Sequence, residues 1–153
     1  MYNTNMKERV VLDTNVVLSA FKSKNGAPYE LLRRLAEDQF EIAISVPLIM
    51  EYEEILKAKL NESIFSTDDI DTIINYFCKI GVTAEIFYLW RPCLKDPEDD
   101  HILELAVAAN CSCIVTYNKK DFAGIERFGL LTVDAAEFLE LLRKDPDYGN
   151  FKC

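Results

Sequence analysis

The sequence predicts an α/β fold, a three-layer α/β/α sandwich with a central, mostly parallel sheet. Short apolar segments with strand character alternate with amphipathic helical segments along the whole chain. The chain contains no internal repeat, low-complexity segment or recognisable domain linker. Alternation of this kind implies parallel strands joined by right-handed crossovers, and it places the carboxyl ends of the strands on one edge of the sheet.

The elements of the first half follow from apolar spacing and from residues that start or stop helices. Pro28 and Pro47 fit first helical turns, because proline lacks the N–H group that a first turn leaves unpaired. Ser66 or Thr67 caps a later helix, which ends near Gly81. These signals predict strands over 9–12 and 41–45 and helices over 15–21, 28–38, 47–60 and 66–81.

The second half continues the alternation. A weaker strand is predicted over 84–89, and Asp96-Pro97-Glu98 is a strong helix start for a segment that runs to Ala109. Further strands are predicted over 113–117 and 130–133, and a last amphipathic helix over 135–143. We therefore expect one domain over 1–153, with a core of about 9–142 and short polar tails.

Composition and charge limit the classes of function. The net charge of −9, from 17 basic and 26 acidic residues, argues against binding nucleic acid through a broadly positive surface. A nucleic-acid enzyme is still compatible, because clustered carboxylates can hold cations that neutralise them. The five cysteines fit no zinc-ligand spacing, and we expect reduced thiols. Without a signal-like apolar core or a run of 18 apolar residues, a cytoplasmic location is expected.

Five acidic residues lie close to strand ends or helix beginnings. Asp13 directly follows the first strand, and Glu51 lies near the start of the helix after the second strand. Asp99 and Asp100 lie in a first helical turn, and Asp121 comes shortly after a later strand. Taken singly, each is explained by capping a helix or by complementing its dipole. Because strand ends and helix beginnings meet at one edge of a parallel sheet, we expect these acids to converge.

Converging carboxylates repel each other unless a cation lies between them. A site of oxygen ligands without a shell of histidine or cysteine suits Mg²⁺ or Mn²⁺. Such a site promotes in-line attack of water on a phosphodiester, because the cation lowers the pKa of the water and neutralises the leaving oxygen. The set predicted to hold the metal is Asp13, Glu51, Asp99 or Asp100, and Asp121.

Four motifs carry a family resemblance. They are Val-Leu-Asp-Thr-Asn at 11–15, Ser-Val-Pro at 45–47 leading to Glu51, Asp-Pro-Glu-Asp-Asp-His-Ile-Leu at 96–103, and Val-Thr-Tyr-Asn-Lys-Lys-Asp-Phe at 115–122. In their order and placement they resemble the motifs of PIN domain proteins, in particular bacterial toxin components of toxin–antitoxin systems. The resemblance spans about residues 9–142. It implies the PIN fold and a Mg²⁺- or Mn²⁺-dependent endoribonuclease.

The resemblance also implies roles for single residues. Asp13 corresponds to the first metal ligand, with Thr14 and Asn15 as supporting polar groups, and Glu51 corresponds to the second acid. We expect Asn15 to steady the site or to position water, and Thr14 to form the turn that presents both neighbours.

The third and fourth motifs leave alternatives open. Either Asp99 or Asp100 faces the metal, and counting back from the small-residue positions of the helix favours Asp99. The fourth motif has Thr116 as a supporting group and Asn118 where many relatives have aspartate, so Asp121 is the only carboxylate expected there. This difference weakens the case for a second metal ion more than for the first.

The expected partners also come from the resemblance. Lys119 and Lys120 are candidates for contacts with the phosphates of an RNA substrate. The family implies a homodimer and a cognate antitoxin protein that inserts into the acidic groove. The alternative to an enzyme is a catalytically silent PIN fold that binds RNA or another protein. His101, the only histidine, is given no role.

Other enzyme classes fit less well. Phosphatases with an aspartate nucleophile need a second aspartate two residues on, where this chain has Asn15. Response-regulator receivers place their acidic pair before the first helix, whereas the pair here opens a late helix. No glycine-rich phosphate loop is present, which argues against a nucleotide-binding switch protein.

Overall fold

A computed structural model describes residues 7–86 and 94–144. The described strands and helices follow the predicted order, except that residues 84–86 of the strand predicted over 84–89 are not strand. The strands are β1 Arg9–Leu12, β2 Glu41–Ile42, β3 Cys113–Val115 and β4 Leu131–Val133. The helices are α1 Thr14–Lys22, α2 Ala27–Ala36, α3 Val46–Lys59, α4 Thr67–Ile80, α5 Asp100–Ala108 and α6 Ala135–Lys144. Short 3-10 turns lie at Pro97–Asp99, Lys119–Phe122 and Ile125–Phe128.

In the described part of the chain, the four strands form one parallel sheet in the order β2-β1-β3-β4, with the six helices flanking it. β1 pairs with β2 on one side and with β3 on the other, and β3 pairs with β4. Each pair is parallel, an arrangement that needs crossover connections between the strands. The predicted α/β class with a parallel sheet is confirmed.

The hydrophobic core explains the central position of β1 and β3. Val10, Val11 and Leu12 of β1 and Ile114 and Val115 of β3 are completely buried. Helix α5 contacts both strands, and α3 packs between α1 and α4. Such apolar strands, without alternation, are typical of the buried strands of parallel sheets.

The second strand is shorter than predicted. Ser45 caps α3 through its hydroxyl, which accepts the Leu48 N–H at 3.3 Å, so the chain has already turned towards the helix. The backbone of Ile44 pairs instead with Val82, which forms an isolated bridge to Ala43. This bridge stands in place of the predicted strand over 84–89, of which residues 84–86 are not strand and 87–89 lie outside the described residues.

The sequence does not predict two short 3-10 turns, because apolar residues do not recur at helical spacing there. The 3-10 turn Lys119–Phe122 follows β3, and Ile125–Phe128 is bounded by Gly124 and Gly129. Both glycines have positive φ, 91° and 78°, which an L side chain would make costly. Within residues 7–86 and 94–144, no helix is long and apolar enough to cross a membrane.

Candidate active site

Asp13 lies where β1 and β3 end side by side. Its backbone N–H donates to the carbonyl of Val115 at 2.9 Å, which continues the pairing of the two strands by one residue. Asp13 is also the N-cap of α1, and its Oδ1 accepts the backbone N–H of Thr14 at 2.8 Å. The capping function and the position at the sheet edge are therefore both present.

The Asp13 carboxylate is buried and held by three donors. Besides the Thr14 N–H, Oδ2 accepts the hydroxyl of Thr116 at 2.7 Å and the amide of Asn15 at 3.3 Å. Asp13 as a whole is only 7% exposed. Burial raises the pKa of Asp13 above its usual value, although the hydrogen bonds from Thr116 and Thr14 oppose this and the charge of Glu51 adds to it. The hydrogen bonds thus hold the Asp13 carboxylate in position, while its burial makes the ionised form less favourable.

Thr116 connects this carboxylate to the turn after β3. Its hydroxyl oxygen also accepts the backbone N–H of Asn118 at 3.0 Å and lies 3.5 Å from the Asn15 amide nitrogen. The Asn15 carbonyl oxygen accepts the backbone N–H of Tyr117 at 3.3 Å. The predicted supporting residues Asn15 and Thr116 contact the Asp13 carboxylate directly, whereas Asn118 joins the network through its backbone.

Glu51 reaches the site from α3. One of its oxygens, Oε2, accepts the hydroxyl of Thr14, and the other, Oε1, lies 3.3 Å from Nε2 of His101. The hydrogen bond with His101 is the largest cause that lowers the pKa of Glu51, opposed by burial and assisted by the Thr14 hydroxyl. Glu51 is therefore held as a carboxylate between the start of α1 and the start of α5.

Tyr52 places Glu51 at this position, a function that the sequence did not reveal. The Tyr52 hydroxyl donates to the carbonyl of Leu12, the residue before Asp13, and the side chain is completely buried. The apolar spacing of α3 predicts a buried Tyr52, but the partner of its hydroxyl depends on how α3 crosses β1. The only available signal was its place next to a predicted metal ligand.

Asp99 and Asp100 have different environments in the structure. Burial raises the pKa of Asp99 to about 6, and the nearby charges of Asp13, Asp96, Asp121 and Glu51 contribute to the same shift. Asp99 is thus the side chain at which the charges of the other candidate ligands act together.

Asp100 has a different environment. It is 1% exposed, and its Oδ1 accepts the backbone N–H of Leu94 at 3.0 Å, so it fastens the chain that leads into α5.

The remaining candidates lie in the turn after β3. Asp121 is partly buried in the 3-10 turn Lys119–Phe122, and its charge acts on Asp99. Lys119 forms an ion pair with Glu137, the second residue after the start of α6. Lys120 is exposed, with no ion pair to any residue of the described chain. The two lysines therefore differ in how available they are to a phosphate.

His101 also contributes to the site, although the sequence assigned it no role. Nε2 faces Glu51, while Nδ1 is buried and has no hydrogen-bond partner within residues 7–86 and 94–144. The contact joins the start of α5 to α3 across 50 residues of sequence, which no local pattern indicates. A cleft of about 510 Å³ opens beside this contact, between Pro47 and Met50 of α3 and Pro97 and Glu98 before α5.

The donor set fits a hard divalent cation. Among the described residues, no group of three or more His, Cys, Asp or Glu side chains is already arranged to hold a metal ion. The charges of Asp13, Glu51 and Asp121 nevertheless act on Asp99, and the pKa values of Asp13 and Asp99 are both raised. A cation among these oxygens would stabilise the charged form of each, and oxygen ligands are those that Mg²⁺ and Mn²⁺ prefer.

Comparison with known families agrees with this geometry. Residues 9–120, well over half of the chain, match the PIN domain family. The matched range contains Asp13, Glu51, Asp99 and Asp100 and ends one residue before Asp121. No curated protein gives a significant match to the chain.

Proposed function

The chain belongs to the PIN domain family, whose members are generally nucleases, and from this premise we propose that it is a Mg²⁺- or Mn²⁺-dependent endoribonuclease. The main support is that Thr14 joins two of the predicted ligands, since its N–H donates to Asp13 Oδ1 at 2.8 Å and its hydroxyl donates to Glu51. Asp99 lies near enough for the charges of Asp13, Glu51 and Asp121 to raise its pKa. We assign the metal to Asp13, Glu51, Asp99 and Asp121. Asp100 is omitted because its Oδ1 already accepts the Leu94 N–H.

When bound, the cation supplies a lowered pKa for the attacking water and neutralises charge on the leaving oxygen of the phosphodiester. The chain supplies the positions. The Thr14 N–H and the Thr116 hydroxyl hold the two oxygens of Asp13, and the Thr14 hydroxyl holds one oxygen of Glu51. Tyr52 fixes α3 to the end of β1, so the two carboxylates keep a constant separation.

The test is cleavage of a panel of single-stranded RNAs by purified protein with Mn²⁺ or Mg²⁺. We expect cleavage that EDTA abolishes and that Asp13→Asn removes. Asp68→Asn is the matched control, because Asp68 is an exposed aspartate in the first turn of α4. This variant should cleave RNA like wild type. The absence of cleavage by wild type, or equal cleavage by Asp13→Asn, would overturn the proposal and favour the catalytically silent alternative.

We further propose that the protein is the toxin component of a toxin–antitoxin system, acts as a homodimer in the cytoplasm, and is inhibited by a cognate antitoxin protein. The toxin function and the antitoxin are supported by the resemblance of the four motifs to such toxins. The homodimer is supported by the same resemblance and by Leu141 of α6, an apolar side chain that is 40% exposed. Expression in a host should arrest growth, and the product of an adjacent small gene should relieve the arrest. Light scattering that gives a monomer mass would contradict the homodimer.

A further inference from the structure

We propose that Tyr117 stacks on a nucleobase of the RNA beside the scissile phosphate and thereby positions the strand over the carboxylates. The inference rests on the proposed function and adds a positioning residue for its substrate. Tyr117 follows Thr116 directly and precedes the turn that carries Asp121.

The backbone of Tyr117 is fixed to the site by short hydrogen-bonded paths. Its N–H donates to the Asn15 carbonyl oxygen at 3.3 Å, and the amide of the same Asn15 donates to Asp13 at 3.3 Å. The preceding residue, Thr116, is completely buried and donates to the same oxygen of Asp13 at 2.7 Å. The Cα atom of Tyr117 is therefore held in a constant position relative to the Asp13 carboxylate, as a positioning residue requires.

The ring itself is left available. Tyr117 is 47% exposed, although its neighbours Val115 and Thr116 are completely buried. Within the described residues, no aromatic ring pairs with it, whereas Tyr52 packs against Phe77 with ring centroids 5.6 Å apart. Aromatic rings that are exposed beside a nucleic-acid site serve as platforms on which unpaired bases stack, and only two χ angles must be fixed on binding.

The two sides of the site differ in charge, because the cleft beside Glu51 is lined by carboxylates, whereas the Tyr117 side has Lys120 as well as Asp134, whose charge acts on the Tyr117 hydroxyl. On the far side, Glu54 and Glu98 line the cleft beside Glu51, and such carboxylates repel phosphates. On the near side, Lys120 is exposed three residues after Tyr117 and forms no ion pair with the described residues. A strand that passes over Tyr117 therefore meets an aromatic face for its base and a cation for its phosphate.

The experiment measures binding of a fluorescein-labelled single-stranded RNA to the Asp13→Asn protein, which is not expected to cut it. In this background, Tyr117→Ala should weaken binding about tenfold, while Tyr117→Phe and Tyr117→Trp should bind like the parent, because stacking needs only the ring. Tyr76→Ala is the matched control, since Tyr76 is a tyrosine of α4 with 39% exposure. It should bind like the parent.

A second RNA separates stacking from a purely structural effect. When abasic nucleotides replace every base of the RNA, the parent and Tyr117→Ala proteins should bind equally, because no base remains to stack. In the active enzyme, Tyr117→Ala should raise KM about tenfold with little change in kcat.

Equal binding of the base-containing RNA by parent and Tyr117→Ala proteins would overturn the inference. So would a loss of binding that is as large for the abasic RNA or that persists in Tyr117→Phe. If binding depends on Tyr117 and on the bases while the wild-type protein cuts no RNA, the inference is supported and only the proposed function is overturned.

Discussion

The two sides of the candidate site are constructed differently. On the strand side, Asp13 is buried and each of its oxygens accepts at least one hydrogen bond, from Thr14, Asn15 and Thr116. On the helix side, Asp99 is partly exposed, and its pKa is raised to about 6 by burial and by the charges around it. Hydrogen-bond donors of the folded chain therefore hold Asp13, whereas the groups that act on Asp99 are mainly carboxylates that oppose its ionisation.

This difference indicates how such a site can be both rigid and responsive to metal. Donors that are already in place cost no reorganisation when the substrate arrives, so Asp13 and Glu51 can act as fixed positions. Neighbouring carboxylates oppose the ionisation of Asp99, so a cation bound there, as we propose, would favour its charged form.

Asp13→Asn should lower cleavage about a thousandfold, because a metal ligand contributes several kcal/mol to the transition state. In EDTA the variant should lose no more than about 1 kcal/mol of stability. Its side chain keeps an acceptor for the Thr14 N–H and removes a buried charge, while an NH2 group replaces the oxygen that accepts from Thr116 and Asn15. Calorimetry with and without Mn²⁺ checks this, since only wild type should gain stability from the metal. A large loss of stability in EDTA would mean that the charge of Asp13 supports the fold.

Asp99→Ala and Asp100→Ala should have opposite effects, although the residues are adjacent. Asp99→Ala should lower cleavage about a hundredfold and leave the metal-free stability at pH 7.5 unchanged or higher, because it removes a ligand and a source of repulsion. Asp100→Ala should cost about 2 kcal/mol of stability, because the Leu94 N–H loses the acceptor Oδ1. Urea denaturation and cleavage rates separate the two. Similar profiles for both variants would contradict the assignment of Asp99 as the ligand.

This pair also shows what the sequence can predict and what it cannot. The alternation of strands and helices predicts the parallel sheet, and the sheet brings Asp13 and Asp121 to one edge because both follow strands. The choice between Asp99 and Asp100 depends on the 3-10 turn at Pro97–Asp99 and on Leu94, six residues before Asp100. Neighbouring positions at a helix start point in different directions, and tertiary contacts decide which one faces the site.

Contacts between distant elements were equally invisible. The Glu51–His101 contact and the hydrogen bond from Tyr52 to Leu12 depend on how α3 crosses α5 and β1. The short second strand has a related cause. Ser45 caps α3 and is not part of the strand, although the alternating apolar residues before it favour a strand. Local patterns predict the elements and the ends at which chemistry lies, while the pairings within the site need the packed structure.

In the metal-free protein, the contribution of Asp99 to stability should fall as the pH rises from about 4 to about 6, opposite in sign to the contribution of Glu51, whose pKa is lowered. Asp99 has a pKa of about 6 in the folded protein against 3.8 for the unperturbed group, so the folded state binds the proton more tightly. Its contribution to stability is therefore greatest at low pH and is lost as the pH rises through the folded pKa. Thermal unfolding in EDTA from pH 4 to 8 measures this. Between pH 4 and 6, wild type should lose stability relative to Asp99→Asn, and Mn²⁺ should raise the stability of wild type at pH 7.5. A constant difference between the two proteins across this range would contradict the raised pKa of Asp99.

The smallest effect should come from the strand side, where several donors share the support of one carboxylate. Thr116→Val removes the hydroxyl that donates to Asp13 Oδ2, but the donors Thr14 and Asn15 remain. We expect about a tenfold loss of cleavage, caused by a less constrained Asp13, and a loss of about 1 kcal/mol in stability. Thr132→Val in β4 is the control, because no hydrogen bond of its side chain is seen in the described part of the chain. Wild-type cleavage by Thr116→Val would show that Asp13 is positioned by its place at the strand end alone, and the two sides of the site would then differ in burial but not in rigidity.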